Sequence, residues 1–282
     1  MSTVCIIGSG DLGGAVAHAL ARRGRVARVI LVDDARNASA GKALDILQSG
    51  AIEGGHTRIE GTDDLSRAMG CAACVIADRF GPVPAEWQGD DGLAMLRRLL
   101  SYTADAPLVF AGVSQAELLL HAEQDLGARR ERLIGSASEA FSAAVTAIVA
   151  MEAHCSPVEI RLTVLGSPPS GFVVPWSEAS IGGFGLERVL TPVQLARIEA
   201  RTARLWPPGP FALGLAAARV AEATIESARR AWSVLTVLGG EFGVRGRVGA
   251  LPVLLSRSGI VHVRVPMLNA RERVKLETAL GA

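Results

Sequence analysis

The stretch Val4-Cys5-Ile6-Ile7-Gly8-Ser9-Gly10-Asp11-Leu12-Gly13 decides the fold of this chain. It predicts an apolar strand and a G-x-G-x-x-G turn, and a helical pattern continues from the turn to Leu20. A second apolar strand covers Arg28 to Val32 and ends on Asp33-Asp34. The dinucleotide-binding fingerprint consists of a strand, a glycine turn, a helix and a second strand that ends on an acid about 20 residues later.

Each residue of this fingerprint has a separate physical role. Gly8 lets the chain turn sharply off the strand, Gly10 lets a pyrophosphate approach the backbone, and Gly13 lets helix and strand pack closely. Asp33 can accept hydrogen bonds from an adenosine ribose, and no basic residue follows it directly, which favours NAD over NADP. The alternative is a nucleotide-binding architecture that no longer holds a nucleotide. The predicted cofactor-binding residues are Gly8, Gly10, Asp11, Leu12, Gly13 and Asp33.

Composition excludes several classes of protein. The chain has 282 residues, which suffices for one large α/β domain or two linked lobes. With 49% hydrophobic residues and a net charge of +1, it is typical neither of disorder nor of broad nucleic-acid binding. The chain starts almost directly in a strand, without room for a signal peptide, and its longest weakly polar run, Ala143 to Met151, is too short to span a bilayer. We therefore expect a cytoplasmic protein without nucleic-acid or membrane partners.

The four cysteines do not predict a metal site. Cys71 and Cys74 form a C-x-x-C pair, but no second pair completes a zinc site. The pair lies at the entry to an apolar strand. We therefore interpret these residues as buried, reduced thiols.

Strands alternate with helices through the first half of the chain, which predicts a parallel sheet of the doubly wound Rossmann type. The second half instead predicts a mixed α+β arrangement with antiparallel strands. A boundary near Gly135 separates a dinucleotide-binding domain, residues 1–135, from a C-terminal domain, residues 136–282. The sequence further predicts a loop at Arg79 to Gly89, a strand at Val158 to Leu165 and a helix at Phe211 to Arg230.

The order of motifs resembles that of the lactate/malate dehydrogenase family along essentially the whole chain. No single motif is decisive, but their order and spacing together are fairly specific. In the first half the resemblance is carried by Gly8 to Gly13, Leu31-Val32-Asp33, Gly41-Lys42-Ala43-Leu44-Asp45 and Gly61-Thr62-Asp63. In the second half it is carried by Leu165-Gly166, Trp176-Ser177, Leu213 to Ala217, Gly240-Glu241-Phe242-Gly243, Pro252-Val253, Ser258-Gly259-Ile260 and Leu268 to Glu272.

The resemblance implies reduction of a 2-oxo acid by hydride transfer from NADH. In that family a histidine supplies the proton, an aspartate orients the histidine, one arginine clamps the substrate carboxylate and a second, on a mobile loop, polarises the carbonyl. All are needed because hydride and proton must arrive together at one carbonyl. The family pairs its subunits through the helix that corresponds to Lys42 to Leu47, so we expect a homodimer.

This sequence departs from the family at the catalytic positions. The histidine segment falls on Gly166-Ser167-Pro168-Pro169, so that Pro168 replaces the histidine. Phe141 replaces the aspartate, Ala144 the clamping arginine and Gly89 the polarising arginine. We therefore predict no catalytic residue. Two further replacements line the same cleft: Val83 in the loop and Val113-Ser114 after the fifth strand.

The presumed cofactor site is also altered beside the glycine turn. Where the family has small Thr-Ala-Gly, this chain has Asp78-Arg79-Phe80, which could crowd the dinucleotide or, through Arg79, meet a phosphate. Trp87 is expected to pack down on the cleft. Acids that border the cleft are expected to be solvated, and the histidines are expected at helix surfaces or in loops. Those acids are Asp78, Glu86, Glu139 and Glu178.

Three functional hypotheses remain open. The first, which we favour, is a dehydrogenase-like protein that has lost hydride transfer and serves as an NAD-binding sensor, a scaffold or a partner protein. The second is an active NAD-dependent oxidoreductase that uses relocated catalytic groups on an unusual hydroxy or oxo substrate. The third is a structural role without any nucleotide.

Overall fold

The computed structural model describes residues 2–83, 85–168, 171–227 and 229–281. Its centre is a sheet of eleven strands, to which both halves of the chain contribute. In the described part of the first half the strands are β1 (Thr3–Ile7), β2 (Arg28–Val32), β3 (Arg58–Thr62), β4 (Ala73–Ile76), β5 (Asp78–Arg79), β6 (Ala85–Glu86), β7 (Leu108–Phe110) and β8 (Leu133–Gly135).

All of these strands except β5 and β6 pair in parallel, in the order β8-β7-β4-β1-β2-β3. This is the doubly wound order, in which the strand sequence reverses between β1 and β4 and leaves a crevice at their carboxyl ends. The connecting helices are α1 (Asp11–Arg23), α2 (Arg36–Glu53), α3 (Gly89–Thr103) and α4 (Ala116–Gln124). The predicted fold class is thereby confirmed.

The second half extends the same sheet with antiparallel strands. Its helices are α5 (Ala137–Ala153), α6 (Leu186–Val189), α7 (Pro192–Thr202), α8 (Pro210–Glu226) and α9 (Ala270–Leu280). Its strands are β9 (Ile160–Arg161), β10 (Leu165–Ser167), β11 (Gly171–Val173), β12 (Ser180–Ile181), β13 (Phe184–Gly185), β14 (Trp232–Gly239), β15 (Arg245–Ser256) and β16 (Gly259–Val263). Because β14 pairs with β8, the sheet continues past residue 135, and the domain boundary stays a prediction.

Burial explains why these residues form these layers. Strand β1 places Val4 to Ile7 in the interior, as expected for a parallel strand covered on both faces. The larger core contains residues of both halves. A smaller core, formed in the second half around Phe141, Val145 and Ile198, packs α5 against α7. None of the described helices combines the length and the apolar character needed to cross a membrane. Residence in the cytoplasm stays a prediction.

Three predicted segments differ from the structure. The strand at Val158 to Leu165 is wrong: a 3-10 turn, Pro157–Glu159, leads into β9, and β9 and β10 lie in different sheets. The predicted loop at Arg79 to Gly89 contains β5 and β6, which pair as a short hairpin, although Pro84 lies outside the described residues. The helix predicted to reach Arg230 ends at Glu226, because Ser227 adopts a left-handed conformation with φ 54°.

The close packing of α1 on α8 generates a prediction from two helical glycines. A Cβ at Gly214 of α8 would lie 2.6 Å from the Ala15 Cβ of α1, whereas a Cβ at Gly41 of α2 would meet nothing within 4 Å. We expect Gly214→Ala to lower the free energy of unfolding by about 1–3 kcal/mol through overpacking. The matched variant Gly41→Ala should raise it by up to about 1 kcal/mol, because alanine favours a helix interior. Urea denaturation measures both; equal effects would contradict the packing argument.

Candidate functional site

The glycine turn is built as its sequence predicts. The Gly8 amide donates to Val32 O at 2.7 Å, and Gly10 precedes the first residue of α1 as its N-cap. A Cβ at Gly13 would overlap the Gly8 carbonyl, so only glycine allows the helix to approach the turn this closely. The N-terminus of α1 therefore faces the crevice at the carboxyl ends of β1 and β4, which is the place where α/β folds bind anions.

The protein's own Asp78 occupies the amides of this turn. Its carboxylate accepts hydrogen bonds from Leu12 N at 3.1 Å and Gly13 N at 2.8 Å, and its backbone carbonyl accepts one from Gly10 N at 3.0 Å. Asp78 is 4% exposed, and a Cβ added at Gly10 would overlap its carboxylate. The space that Gly10 leaves open is thus filled by a side chain of the same chain.

Asp33, the predicted ribose acceptor, is likewise engaged within the chain. Its carboxylate accepts from Ser9 N at 2.7 Å, Phe80 N at 2.9 Å and Ala35 N at 3.0 Å, and the residue is 4% exposed. The bond from Phe80 ties the end of β5 to the end of β2. A ribose would have to displace backbone amides to reach this acid.

A third carboxylate, Glu86, closes the opposite side of the crevice. It accepts from Val113 N at 2.9 Å and Ser114 N at 2.7 Å, in the loop between β7 and α4. Asp78 and Glu86 are direct partners in the β5–β6 hairpin. One short hairpin therefore carries two acids, one bonded to the β1–α1 turn and the other to the β7–α4 loop.

The hairpin is also held by its aromatic and basic side chains. Arg79 lies over the Trp87 ring, 4.9 Å from its centroid, and pairs with Asp91 at 3.3 Å. Trp87 is buried, which confirms the prediction that it packs down. On the other side of the turn Lys42 donates from Nζ to Gly10 O at 2.7 Å and stands 3.9 Å from the Asp11 carboxylate.

The structure brings together all of the residues predicted to bind a cofactor. Gly8, Gly10 and Gly13 shape the turn, Leu12 N faces Asp78 and Asp33 borders the turn through Ser9. Asp11 stands at the start of α1 with an exposed side chain. Binding of NAD by these residues stays a prediction.

The expectation that the acids near the cleft are solvated is wrong for Asp78. A carboxylate can stay buried when backbone amides satisfy its oxygens, and Asp78 has two. The other acids are also bonded: Glu139 accepts from Arg230 at 2.6 Å and from Ser233 N at 3.1 Å, and Glu178 accepts from Met267 N at 2.7 Å. An acid at the carboxyl end of β4, beside a glycine turn, is the sequence signal for this arrangement.

Apolar packing surrounds Phe141, which the sequence aligns with the aspartate of the resembling family. Phe141 is buried in α5 and stacks on Phe172 with ring centroids 4.5 Å apart. The Trp206 ring lies 4.9 Å from Phe172 and 6.0 Å from Phe141. Pro168 stands in the turn that follows β10, and Pro169 lies outside the described residues.

Neither position that the sequence aligns with a family arginine carries a charged side chain. Ala144 is half-buried on α5, and Gly89 is exposed at the start of α3. The five histidines lie on helices, in loops or on an edge strand, and none of them is buried. They are His18, His56, His121, His154 and His262.

Cys5, Cys71 and Cys74 are buried beside β1 and β4, whereas Cys155 is partly buried after α5. All four are free, and Cys5 and Cys74 are register partners on β1 and β4. Hydrogen bonds to the Cys71 and Cys74 thiols, together with burial, hold the pKa of Cys5 well above its usual range. Among the described residues no group of three or more His, Cys, Asp or Glu side chains could hold a metal ion.

The chain is similar to malate dehydrogenases along its whole length. It is 26% identical over 298 aligned positions to the malate dehydrogenase of a Nitratiruptor species, with 100% of this chain and 93% of the relative covered. It is 27% identical over 292 positions to that of Cytophaga hutchinsonii, with 98% and 94% covered. No family model matches the sequence.

Solved structures share the fold. The malate dehydrogenase of Salinibacter ruber superposes with a TM-score of 0.86 at 24% identity, covering 99% of this chain and 94% of the other. A lactate dehydrogenase from a Medee basin deep-sea metagenome library superposes with a TM-score of 0.87 at 19% identity, covering 99% and 96%. The chain therefore shares the fold of these dehydrogenases.

The hydrogen bonds that Asp78 accepts predict that Leu12 N and Gly13 N can bind an anion once the carboxylate is removed. We expect Asp78→Ala to lower the free energy of unfolding by about 1–3 kcal/mol, because Leu12 N and Gly13 N lose their acceptor. Phosphate or pyrophosphate should then raise the melting temperature of the variant more than that of the parent, since an anion replaces the carboxylate. Asp90→Ala, which removes an exposed acid at the start of α3, serves as the control. An equal response of parent and variant would show that the amides do not form an anion seat.

Proposed function

We propose that this lactate/malate dehydrogenase-like protein performs no hydride transfer and that its own carboxylates hold the nucleotide crevice closed. The observation that carries the proposal is the pair of hydrogen bonds from Leu12 N and Gly13 N to Asp78. These amides are the donors that a dinucleotide's pyrophosphate uses in such folds. Such a protein acts as a sensor, a scaffold or a partner in an assembly.

Competition with Asp78 has a sizeable free-energy cost for a dinucleotide. Hydrogen bonds to a charged acceptor contribute about 1.5–3 kcal/mol each, and binding must give up two of them. If the closed hairpin is favoured by about 3 kcal/mol, the apparent affinity falls by about a hundredfold. The neighbouring carboxylates of Asp33 and Glu86 add repulsion to an anionic ligand. NAD therefore binds only when the β5–β6 hairpin moves away.

The catalytic positions support the same proposal. Proline at position 168 can neither give nor take a proton, and positioned proton transfer typically contributes a factor of about 10²–10⁴ in rate. Phe141 and Ala144 supply neither the carboxylate nor the guanidinium that would orient a histidine and clamp a substrate. Turnover of ordinary 2-oxo acids then becomes negligible.

An active NAD-dependent oxidoreductase is the second candidate, and the comparisons favour it over the first. Proteins named malate dehydrogenase match the chain from end to end, and the glycine turn retains its architecture. In this candidate the hairpin opens, NAD takes the place of Asp78 and the substrate is an unusual hydroxy or oxo compound. The acid and base would then come from groups outside the family's positions.

Hydride transfer and cofactor binding are tested separately. Incubated with NADH and pyruvate, oxaloacetate and other 2-oxo acids, the protein should leave the near-ultraviolet absorbance of NADH unchanged. Calorimetric titration with NADH should give weak or no binding to the parent and at least about tenfold tighter binding to Asp78→Ala, because the amides become free. Robust turnover of pyruvate or oxaloacetate by the parent would overturn the proposal and mean that the catalytic positions are misaligned.

Restoring one group should not restore the reaction. We expect Pro168→His to remain inactive, because Phe141 cannot orient the imidazole and Ala144 cannot hold a carboxylate. A folded variant, checked by circular dichroism, makes the result interpretable. Activity that appears with Pro168→His alone would mean that the other catalytic groups are present elsewhere.

A homodimer through α2 is part of the proposal. Leu44 and Leu47 of α2 are 54% and 46% exposed, and burial against a second copy would remove this apolar surface from water. Light scattering should give twice the chain mass for the parent and a lower mass for the double variant Leu44→Glu/Leu47→Glu. Val274→Glu, which changes an exposed residue of α9, should leave the mass unchanged. A monomeric parent would refute the dimer.

A further inference from the structure

A second cavity lies in the C-terminal half of the chain, between β11, α7 and α9. Its volume is about 450 Å³, within the range of small-molecule sites. Aromatic rings form one side of it: Phe141, Phe172 and Trp206 line the cavity and pack on one another. Phe172 and Trp206 are only half-buried, so part of their apolar surface remains available to a ligand.

Thr202 also lines the cavity, but its hydroxyl is not part of the accessible surface. Thr202, the last residue of α7, is 9% exposed, and its Oγ1 is buried without a partner among the described residues. The polar contacts of a ligand in this cavity therefore come from the charged side chains that line it.

Charges of opposite sign line the cavity from different helices. Glu187 and Glu199 of α6 and α7 form an acidic wall, and Arg271 and Lys275 of α9 form a basic wall. Glu272 of α9 also lines the cavity, but its carboxylate already accepts hydrogen bonds from Ser177 and Asn269. Arg271 and Lys275 are four residues apart, so they lie on one face of the helix. All four side chains are exposed, and none of them takes part in an ion pair within 4.0 Å in the described part of the chain. The acidic wall and the basic wall therefore both remain available.

We propose that this cavity binds a zwitterionic α-amino acid with a large apolar side chain. The apolar side chain packs on Phe172 and Trp206, the ammonium group faces Glu187 and Glu199, and the carboxylate faces Arg271 and Lys275. A ligand with one charge would leave one wall unmatched, and a ligand without an apolar body would leave the aromatic side empty. The proposal is independent of the proposed function, because neither NAD nor turnover enters it.

Calorimetry with four related compounds tests whether a ligand needs both charges and the apolar ring to bind. L-phenylalanine carries both charges and the ring, 2-phenylethylamine lacks the carboxylate, 3-phenylpropanoate lacks the ammonium group and glycine lacks the ring. We expect L-phenylalanine to bind and each of the others to bind at least about tenfold more weakly, which corresponds to about 1.4 kcal/mol per missing contact. If L-phenylalanine shows no detectable binding, or if any other compound binds equally or more tightly, the proposal is wrong.

Charge reversals on the two walls test the orientation of the ligand. Lys275→Glu should weaken L-phenylalanine and 3-phenylpropanoate but not 2-phenylethylamine, whereas Glu199→Lys should weaken L-phenylalanine and 2-phenylethylamine but not 3-phenylpropanoate. Both residues are exposed, so the variants should fold. Arg98→Glu reverses a charge on exposed α3 and should change nothing. If the two wall variants leave these affinities unaltered, the proposal is wrong.

The aromatic side is tested by Trp206→Ala and Phe172→Ala. We expect both to lower the affinity for L-phenylalanine through loss of ring contact. L-phenylalanine should also change the tryptophan fluorescence of the parent, since Trp206 and Trp176 both line the cavity. If L-phenylalanine binds with unchanged affinity to both variants, it binds elsewhere and the proposal is wrong.

Discussion

Backbone amides at the N-terminus of a helix have no acceptor within the helix, and in a buried crevice they need one from elsewhere. At the carboxyl edge of this sheet that requirement falls on the β1–α1 turn and the β7–α4 loop. Asp78 satisfies the first and Glu86 the second, and both stand on the β5–β6 hairpin. The conformation of the whole edge depends on these bonds, because they hold the hairpin across the crevice that a doubly wound fold otherwise leaves open.

In this molecule the fold and the occupancy of the crevice depend on different residues. The sheet and its helices are specified by aliphatic strands and by glycines that allow close approach, and none of that depends on whether a cofactor binds. What fills the crevice is set by a few side chains, such as Asp78 and Glu86, which are absent from the glycine pattern itself. Full-length similarity to malate dehydrogenases and a self-occupied crevice are therefore compatible in one chain.

In the second half of the chain, aromatic side chains pack against one another around Phe141. Phe141 stacks on Phe172 beside Trp206, and the three rings form a continuous aromatic surface. Rings gain free energy from burial and from edge or offset contacts, and a catalytic aspartate and histidine at the same place would need hydrogen bonds and solvent access. The cavity next to the rings has charged walls from α7 and α9. The chemistry of this region is therefore recognition of a partly apolar molecule.

The sequence by itself determined the doubly wound fold, the glycine turn and the inert residues at positions 141, 144 and 168. These depend on local patterns: runs of aliphatic residues, a helix that starts after Gly10 and the identity of single side chains. The strand predicted at Val158 to Leu165 was wrong, since an apolar run does not reveal which sheet it joins. Only the tertiary structure decided that Asp78 bonds Gly13, 65 residues away, and that Phe141 meets Trp206. Such contacts depend on how distant segments pack, and no local pattern encodes whether an acid at a strand end turns to solvent or to a neighbouring helix.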